Sequence, residues 1–551
     1  MAIFGSKEKE GSTTGVLDTL GVKPVGPHND VQEGLMADNA DNLQRHLDNR
    51  QIQLIAIGGA VGTALFVSIG TGLYNGGPGS LFLAFTTQCI FLAMVNNCLA
   101  EMSTAYPVSG GFIRLAGKWV DDALGFMVGW NFFFYEALLI PFEISAFTLV
   151  LSFWSDKVTE PGPVAGICAG IIVVYGTLNI LAVKAYGEAE FWLSGGKVIL
   201  IFSLFFFTFI TMVGGNPQHD AYGFRYWNDP GSFMEHLNTG SLGRFEGYLG
   251  SLWSACFAVV GPEYISMVAA EAKRPRIYIK NAFKTVYIRF GLFFMGGALA
   301  VGIVCSARDP ALVAIATGEK SDSSASASPY VIGMTNMGIK IFPSIVNALL
   351  LTSIFSAGNT YFYCAIRTLY SLALEGRARA SLPTLLARVS SIVITWFANL
   401  VTAGGLINYI TICITYICFH RACKAQNFDR RQLSYYGWLQ PWCGWIGMVW
   451  MILVTILYGY PAYKPWNVET FWSDYTMQII IKKTKFVKAH EADLVWERPL
   501  IDAYEASFLD PPVGFWREML QLVGLGRIKG GNDKRRQSNA APSAVSTGVE
   551  A

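Results

Sequence analysis

The sequence predicts an all-α polytopic membrane protein in which two of the membrane-spanning helices are broken. Hydrophobic residues make up 52% of the 551 residues, and charged residues only 15%. Apolar runs of about 20 residues, the length that crosses a bilayer as a helix, recur along the chain. Two of these runs, residues 52–66 and 249–270, are interrupted by glycine or by glycine and proline.

Ten apolar runs are long enough to be spans. They lie near residues 52–75, 79–100, 124–153, 164–184, 191–213, 247–270, 286–306, 341–366, 394–419 and 441–460. The polar first 50 residues contain no cleavable signal peptide, so the first span is expected to direct insertion. The sequence thus predicts an N-terminal tail (1–44), a transmembrane domain (45–481) that lies in the lipid bilayer, and a C-terminal tail (482–551).

Basic residues predict the orientation. Lys273-Arg-Pro-Arg276, followed by Lys280, Lys284 and Arg289, is the densest basic loop in the middle of the chain. Arg114 and Lys118 lie between spans two and three, and Arg45 and Arg50 precede span one. Because cytoplasmic loops carry an excess of Lys and Arg, both tails are expected in the cytoplasm. The net charge of +2 gives no support to nucleic-acid binding. The ten cysteines show neither disulfide nor metal spacing, so no metal or cofactor is expected.

The first broken span reads Ile57-Gly-Gly-Ala-Val-Gly-Thr-Ala-Leu-Phe66. Irregular backbone at membrane depth is tolerated only where protein or water satisfies it, and paired breaks in two halves of a chain are typical of a transporter's binding site. The start of a half-helix presents backbone N–H groups that favour an anion. Gly62, Thr63 and Ala64 are therefore expected to hold a substrate carboxylate. Close helix packing through small residues is the alternative.

In the second broken span, Gly261-Pro-Glu263 cannot continue a regular helix, because Pro262 lacks an N–H and clashes with the preceding turn. The carbonyls freed from Ala258 to Val260 are expected to accept hydrogen bonds from a substrate ammonium, with Phe257 as an aromatic wall. One break then offers donors and the other acceptors. An amino acid zwitterion requires this polarity.

Ionisable residues at membrane depth are candidates for function because burying a charge there is costly. They are Glu136 and Glu143 in span three, Lys197 in span five and Glu263 in span six. The two glutamates of span three are seven positions apart and so nearly share a helix face. Each residue is a candidate for binding and releasing a proton, and a structural ion pair is the alternative. Glu101 and Glu271, at span ends, are expected to face the interface instead.

Further motifs accompany the broken spans. They are Glu188-Ala-Glu-Phe-Trp-Leu193 with Lys197, Glu271-Ala-Lys-Arg-Pro275, and Ser356-Ala-Gly-Asn-Thr360 with Arg367-Thr-Leu-Tyr370. With the two breaks they resemble the fungal amino acid permeases of the amino acid–polyamine–organocation superfamily over residues 43–505. The resemblance implies a LeuT-like fold of twelve spans with two inverted five-helix repeats. It also implies amino acid import by proton symport at the plasma membrane, with the substrate between spans one, three, six and eight.

In that pattern Thr63 and its neighbours match the carboxylate site and residues 257–261 the amine site. Lys197 matches a proposed proton site, and Glu143 an acidic position of span three. Ala64 and Pro262 depart from the pattern, which usually has glycine and threonine there. Two segments look most like the branch carrying acidic amino acids, although the broken helices offer no dedicated cation for a second carboxylate. These segments are Gly223-Phe-Arg-Tyr-Trp-Asn-Asp-Pro-Gly231 and Glu491-Ala-Asp-Leu-Val-Trp-Glu-Arg498.

Spans nine and twelve of the family pattern are missing. No apolar segment of about 20 residues fits between span eight and Ile392-Val-Ile-Thr-Trp-Phe397, and Tyr475-Thr-Met-Gln-Ile-Ile-Ile481 runs straight into Lys482. Restoring the ninth span would turn the basic residues 420–431 toward the cytoplasm, as the positive-inside rule requires. We therefore expect two deletions, from alternative splicing or an error in gene prediction.

Two functions besides amino acid import remain open. One is a non-transporting, permease-like nutrient sensor, which long folded tails would favour. The other is an inactive truncated permease. An enzyme is not expected, since the sequence has no nucleophile elbow, metal-ligand cluster or phosphate loop.

Overall fold

A computed structural model describes residues 45, 47–181, 183–317, 328–375, 377, 393–458, 460, 486–496, 498–508 and 511–522. The helices of the first half are α1 Asn49–Gly58, α2 Ile69–Ala105, α3 Gly111–Trp119, α4 Asp122–Leu151, α5 Pro161–Leu181, α6 Val183–Met212, α7 Gly240–Ala258 and α8 Pro262–Met267. Those of the second half are α9 Pro275–Arg289, α10 Gly296–Val304, α11 Pro310–Thr317, α12 Pro329–Asn336, α13 Phe342–Leu374, α14 Val393–Ala425, α15 Trp442–Tyr458, α16 Arg498–Ala506 and α17 Phe515–Leu522.

Each of the ten expected spans coincides with helical structure in the described chain. By length and composition, seven apolar segments can cross a membrane, and α15 is a shorter apolar helix. The segment Ala64–Ala105 contains two legs, because the chain turns at Gly77, where φ is 78° and ψ is 174°. Its first leg completes span one and its second leg is span two. The predicted polytopic, all-α fold class is confirmed.

Both predicted breaks are present. Helix α1 ends at Gly58, and regular helix resumes through a π-helical turn, Ala64–Ser68, that leads into α2. Helix α7 ends at Ala258 and α8 begins at Pro262, the position in a helix where a missing N–H costs least. Gly261 between them has φ 140°, a backbone conformation open to glycine and strained for other residues.

The basic loops that contain Lys118 and Lys273 lie on one face of the bundle, and we call it the basic face. Residues 486–508, except 497, lie across this face, and we call them the C-terminal strap. Val487 donates its N–H to the Val120 carbonyl at 2.8 Å, and Tyr504 donates its hydroxyl to the Lys273 carbonyl at 2.8 Å. The strap belongs to the same compact unit as the bundle, Met1–Leu509, while α17 lies in a second unit, Asp510–Ala551.

The two long helices α13 and α14 run in the same direction. Helix α13 ends at the basic face, where Arg377 pairs with Asp122 at the start of α4. Helix α14 also ends there, since Gln426 donates to the Ala492 carbonyl of the strap at 2.6 Å. At 33 residues, α14 is about 50 Å long, so its first turn lies at the opposite face. The described ends on the two sides of residues 378–392 therefore lie on opposite faces of the bundle.

The described residues before and after 461–485 also lie on opposite faces of the bundle. Just beyond α15, Tyr460 donates its hydroxyl to Glu246 at 3.1 Å on the face opposite the basic one, and the strap then begins at the basic face. The two inferred deletion junctions, 391–392 and 479–482, lie outside the described residues. Each lies between described ends on opposite faces. Loss of one span at each junction would leave this arrangement.

The expectation that Glu101 and Glu271 face the membrane interface is wrong. Both side chains are buried, and each has an arginine partner that is distant in sequence. Arg430 donates to Glu101 at 2.6 and 2.8 Å, and Arg367 lies 2.7 Å from Glu271. Sequence position alone placed these carboxylates at span ends. The sequence positions did not show which distant arginines pair with these carboxylates.

Candidate functional site

At the first break, Thr63 binds a carboxylate that belongs to the protein itself. Its N–H donates to one oxygen of Glu143 at 3.3 Å, and its hydroxyl donates to the other at 2.5 Å. Thr63 and Glu143 are both almost fully buried, whereas Ala64 is partly exposed. Thr63 of the first break and Glu143 of α4 thus bind each other, and a substrate carboxylate at Thr63 stays a prediction.

Lys197 of α6 is fully buried beside the first break. Its ammonium donates to the carbonyl of Gly58, the last residue of α1, at 2.6 Å. Carbonyls at a helix C-terminus carry partial negative charge, so a cation is stabilised there. Lys197 also interacts electrostatically with two buried carboxylates, Glu190 and Glu143. The lysine thus joins the end of α1 to both acidic groups.

Glu190 is held in place by the polar motif of α13. It accepts hydrogen bonds from Ser194 at 2.9 Å, from Asn359 at 3.4 Å and from Ser356. A Cβ at Gly58 would lie 2.1 Å from its carboxylate, so glycine is required for this close approach. The network consequently depends on an uncrowded end of α1.

A second cation holds the same end of α1. Arg289, at the end of α9, donates to the Ala56 carbonyl at 2.6 Å and to the Ala282 carbonyl at 3.2 Å. Its side chain is buried. Two cations from different helices therefore satisfy carbonyls that the break leaves without intrahelical partners.

At the second break, Glu263 stabilises the first turn of α8. Its carboxylate accepts the Gly261 N–H at 3.2 Å and the Tyr409 hydroxyl of α14 at 3.0 Å. Phe257 packs edge-on against Phe142 of α4, with ring centroids 5.1 Å apart. Ala258 and Val260 are buried. Glu263 thus lies at the break but is engaged by the protein.

The two breaks lie against each other. A Cβ at Gly261 would lie 3.2 Å from the Cβ of Ala60. Tyr361 of α13 donates its hydroxyl to the Gly59 carbonyl at 3.1 Å, and its ring lies 6.0 Å from that of Tyr264 in α8. Helices α1, α4, α8 and α13 therefore meet at the breaks.

Most sequence-predicted site residues come together here. Gly62, Thr63, Glu143 and Lys197 surround the first break, while Phe257, Ala258, Val260, Gly261 and Glu263 form the second. Sequence reasoning missed Glu190, Arg289, Tyr361 and Tyr409. The signal for Glu190 lay in the Glu188–Leu193 motif, and Arg289 was assigned to a basic loop. In the part of the chain that the structure describes, no group of three metal-ligating side chains occurs.

Comparison with known proteins identifies the family. The amino acid permease family profile matches residues 51–391 and again 380–482. The chain belongs to the amino acid permease family. The permease match is in two pieces, which overlap at residues 380–391, beside the junction where the sequence predicts the loss of a ninth span.

Three permease relatives show the range of the family. The chain is 41% identical to the general amino acid permease AGP2 of Saccharomyces cerevisiae, over 84% of each protein. It is 33% identical to the dicarboxylic amino acid permease of the same yeast, over 85% of this chain and 82% of the relative. It is 34% identical to the yeast proline-specific permease, over 79% of this chain and 73% of the relative. These relatives are permeases rather than enzymes, and their names give different substrates.

Proposed function

We propose that this permease imports amino acids across the plasma membrane by proton symport, with both tails in the cytoplasm. The observation that carries the proposal is the Glu143 carboxylate on the Thr63 N–H and hydroxyl, at 3.3 and 2.5 Å. Donors that hold one carboxylate in a site shielded from water are suited to another, such as the carboxylate of an amino acid. The basic face supports the orientation.

The mechanism is competition between the two carboxylates. A proton on Glu143 removes its negative charge and weakens its bonds to Thr63, which frees these donors for the substrate carboxylate. The substrate ammonium then donates hydrogen bonds to the backbone carbonyls of residues 258–260. When the substrate leaves on the cytoplasmic side, Glu143 loses its proton and returns to Thr63. One proton thus moves with each substrate.

Lys197 links proton binding to the shape of the break. As an ammonium it holds the Gly58 carbonyl at 2.6 Å, whereas a neutral amine makes a weaker bond. Release of that carbonyl loosens the end of α1, the element that must move when access alternates between the faces. Lys197 and Glu143 are therefore the proposed proton-coupling pair.

The preference for acidic amino acids stays a prediction. Relatives with general, dicarboxylic and proline-specific names match comparable shares of the chain. The buried charges facing the second break, Glu263 and Glu136, are acidic and would repel a second carboxylate. The site chemistry therefore weighs against this preference.

A second candidate, a permease-like protein that binds amino acids without transporting them, is favoured by the two junctions at which the sequence lacks an apolar run of span length. Uptake of labelled alanine, glutamate and lysine by cells without their own permeases, with and without a protonophore, tests import. Thermal stabilisation of the purified chain by the same amino acids tests binding.

Uptake that the protonophore abolishes is the expected result. Stabilisation without uptake would reject import and favour the second candidate, a permease-like protein that binds amino acids without transporting them. Neither uptake nor stabilisation would leave an inactive truncated permease. The cells must show the chain at their surface by antibody labelling, so that retention inside the cell is distinguished from inactivity.

A further inference from the structure

Glu136 of α4 is a buried carboxylate with no use in the mechanism above. Its side chain is fully buried, and among the described residues neither of its oxygens has a hydrogen-bond partner. Three other buried carboxylates of the bundle accept hydrogen bonds: Glu143 from Thr63, Glu190 from Ser194 and Glu263 from Tyr409. Buried Glu271 is paired with Arg367 at 2.7 Å. Since buried polar groups are nearly always paired, the missing partner requires an explanation.

The surroundings of Glu136 are acidic and aromatic. It interacts electrostatically with Glu263 and with the hydroxyl-bearing rings of Tyr264, Tyr361 and Tyr409. These residues come from α8, α13 and α14, so four helices with α4 enclose the position. Tyr264 and Tyr361 also touch the first break at Gly59. Glu136 is therefore next to the proposed amino acid site.

A positive charge satisfies this arrangement best. An isolated carboxylate away from water is costly, and a second carboxylate nearby raises the cost. A cation relieves both costs, and the faces of tyrosine rings attract cations further. No lysine, arginine or histidine is recorded as a partner of Glu136 in the described chain. Among the described residues no side chain supplies this cation, and the side chain of a basic ligand can supply it.

The spacing along α4 sets the length of the ligand. Glu136 and Glu143 are two helical turns apart, about 10 Å along the axis, and lie nearly on one face. Glu143 marks the position of the substrate carboxylate at Thr63. The long side chain of lysine or arginine, with a hydrogen bond at each end, covers a separation of this order. A small amino acid such as alanine does not reach Glu136.

We propose that Glu136, together with Glu263, receives the side-chain cation of a basic amino acid whose carboxylate is held at Thr63. The proposal rests on the proposed function and names its substrate class: amino acids with a side-chain ammonium or guanidinium group. Glu136 then determines specificity, while Thr63 and residues 258–261 bind the part that all amino acids share.

Ligand binding to the purified full chain tests the proposal without requiring transport. Dissociation constants for alanine, lysine and glutamate are measured by thermal stabilisation, for the parent chain, Glu136→Gln and Glu246→Gln. The glutamine at position 136 keeps the shape of the side chain and removes its charge. Glu246 is a matched control, because it is also buried but bonds Asn238 at the face opposite the basic one.

The parent chain is expected to bind lysine at least about tenfold more tightly than alanine, a ratio equivalent to about 1.4 kcal/mol. Glu136→Gln is expected to abolish that preference and leave alanine binding unchanged, and Glu246→Gln to keep the preference. A preference for lysine that survives in Glu136→Gln overturns the proposal.

Three other results also overturn it, for different reasons. Equal binding of lysine and alanine by the parent chain rejects the substrate class but leaves the proposed function intact. If Glu136→Gln changes how alanine binding depends on pH, with no lysine preference in the parent, Glu136 holds a proton rather than a ligand cation. Absence of binding by all three amino acids rejects the proposed function itself.

Discussion

In the proposed mechanism, Lys197 is the residue that couples proton binding to the conformation of the first break. It is buried, bonded to the Gly58 carbonyl, and within electrostatic range of Glu190 and Glu143. Because Lys197 and Gly58 are 139 residues apart, the sequence did not predict that they are hydrogen-bond partners. The lysine itself was predictable, because a charge inside an apolar run is rare enough to mark a functional position.

Replacing Lys197 by Met is expected to flatten the pH dependence of alanine uptake. Methionine fills similar space but carries no proton, so the end of α1 no longer responds to protonation. Uptake between pH 4.5 and 7.5 provides the measurement, with the exposed Lys284→Met as control. A Lys197→Met variant that keeps the parent's pH profile excludes Lys197 from proton coupling.

The sequence predicted some of the remaining site residues and missed others, depending on whether each one interrupts an apolar run with a charge. Glu136, Glu143 and Glu263 were found by charge within apolar runs. Arg289 was assigned to a basic loop, because it ends the polar helix α9 rather than interrupting an apolar one. Tyr361 and Tyr409 carry no such signal, since tyrosine is common in spans and only the fold shows which hydroxyls reach the breaks.

At the scale of elements, the breaks were the most predictable feature. Three glycines in one span and Gly261-Pro262 in the other cannot support continuous helix. The tertiary partners of helix ends were less predictable. Glu101, near the end of α2, is enclosed by the turn after α14, where it accepts hydrogen bonds from Arg430, Tyr416 and the Gly437 N–H.

Breaking this contact is expected to destabilise the bundle. Arg430→Met leaves a buried carboxylate without its cation, which costs about 3–5 kcal/mol. The double variant Glu101→Leu/Arg430→Met removes both charges and should recover much of the loss. The measurement is the thermal unfolding midpoint in detergent, with the exposed Arg431→Met as control.

The two outcomes separate a charge effect from a packing effect. If the single and double variants unfold at the same temperature, the loss comes from the missing arginine side chain and not from an uncompensated charge. A midpoint for Arg430→Met equal to that of Arg431→Met would show that the buried pair contributes nothing measurable.

At the scale of the whole molecule, the direction of the helices supports the inference of two deletions. Helices α13 and α14 both end on the basic face. The end of α15 lies on the opposite face, whereas the strap lies on the basic face. The sequence indicated the deletions through missing apolar length and a misplaced basic stretch. It did not reveal the strap, because residues 486–508 mix apolar and charged residues without an apolar run of span length, and only their contacts show that they lie on the bundle.

Glycosylation mapping tests this arrangement. The sequence has no Asn-x-Ser/Thr acceptor, so an inserted one reports its own location. An acceptor within residues 217–220 is expected to be glycosylated, and one within residues 426–429 is not, because the second position lies on the basic face. The readout is a mass shift removed by endoglycosidase. Glycosylation at 426–429 would place the end of α14 outside the cell and contradict the parallel α13 and α14.

The strap binds elements that a rocking transporter must separate. The Arg45 guanidinium before α1 lies 4.5 Å from the centre of the Tyr504 ring, Lys118 lies 3.1 Å from Asp493, and Gln426 after α14 bonds the Ala492 carbonyl. Opening of the basic face therefore requires these contacts to break together. In the proposed orientation, a cytoplasmic protein or a modification that lifts the strap would shift the conformational equilibrium toward the inward-open state. The cell could in this way set the rate of amino acid delivery without altering a single residue at the binding site.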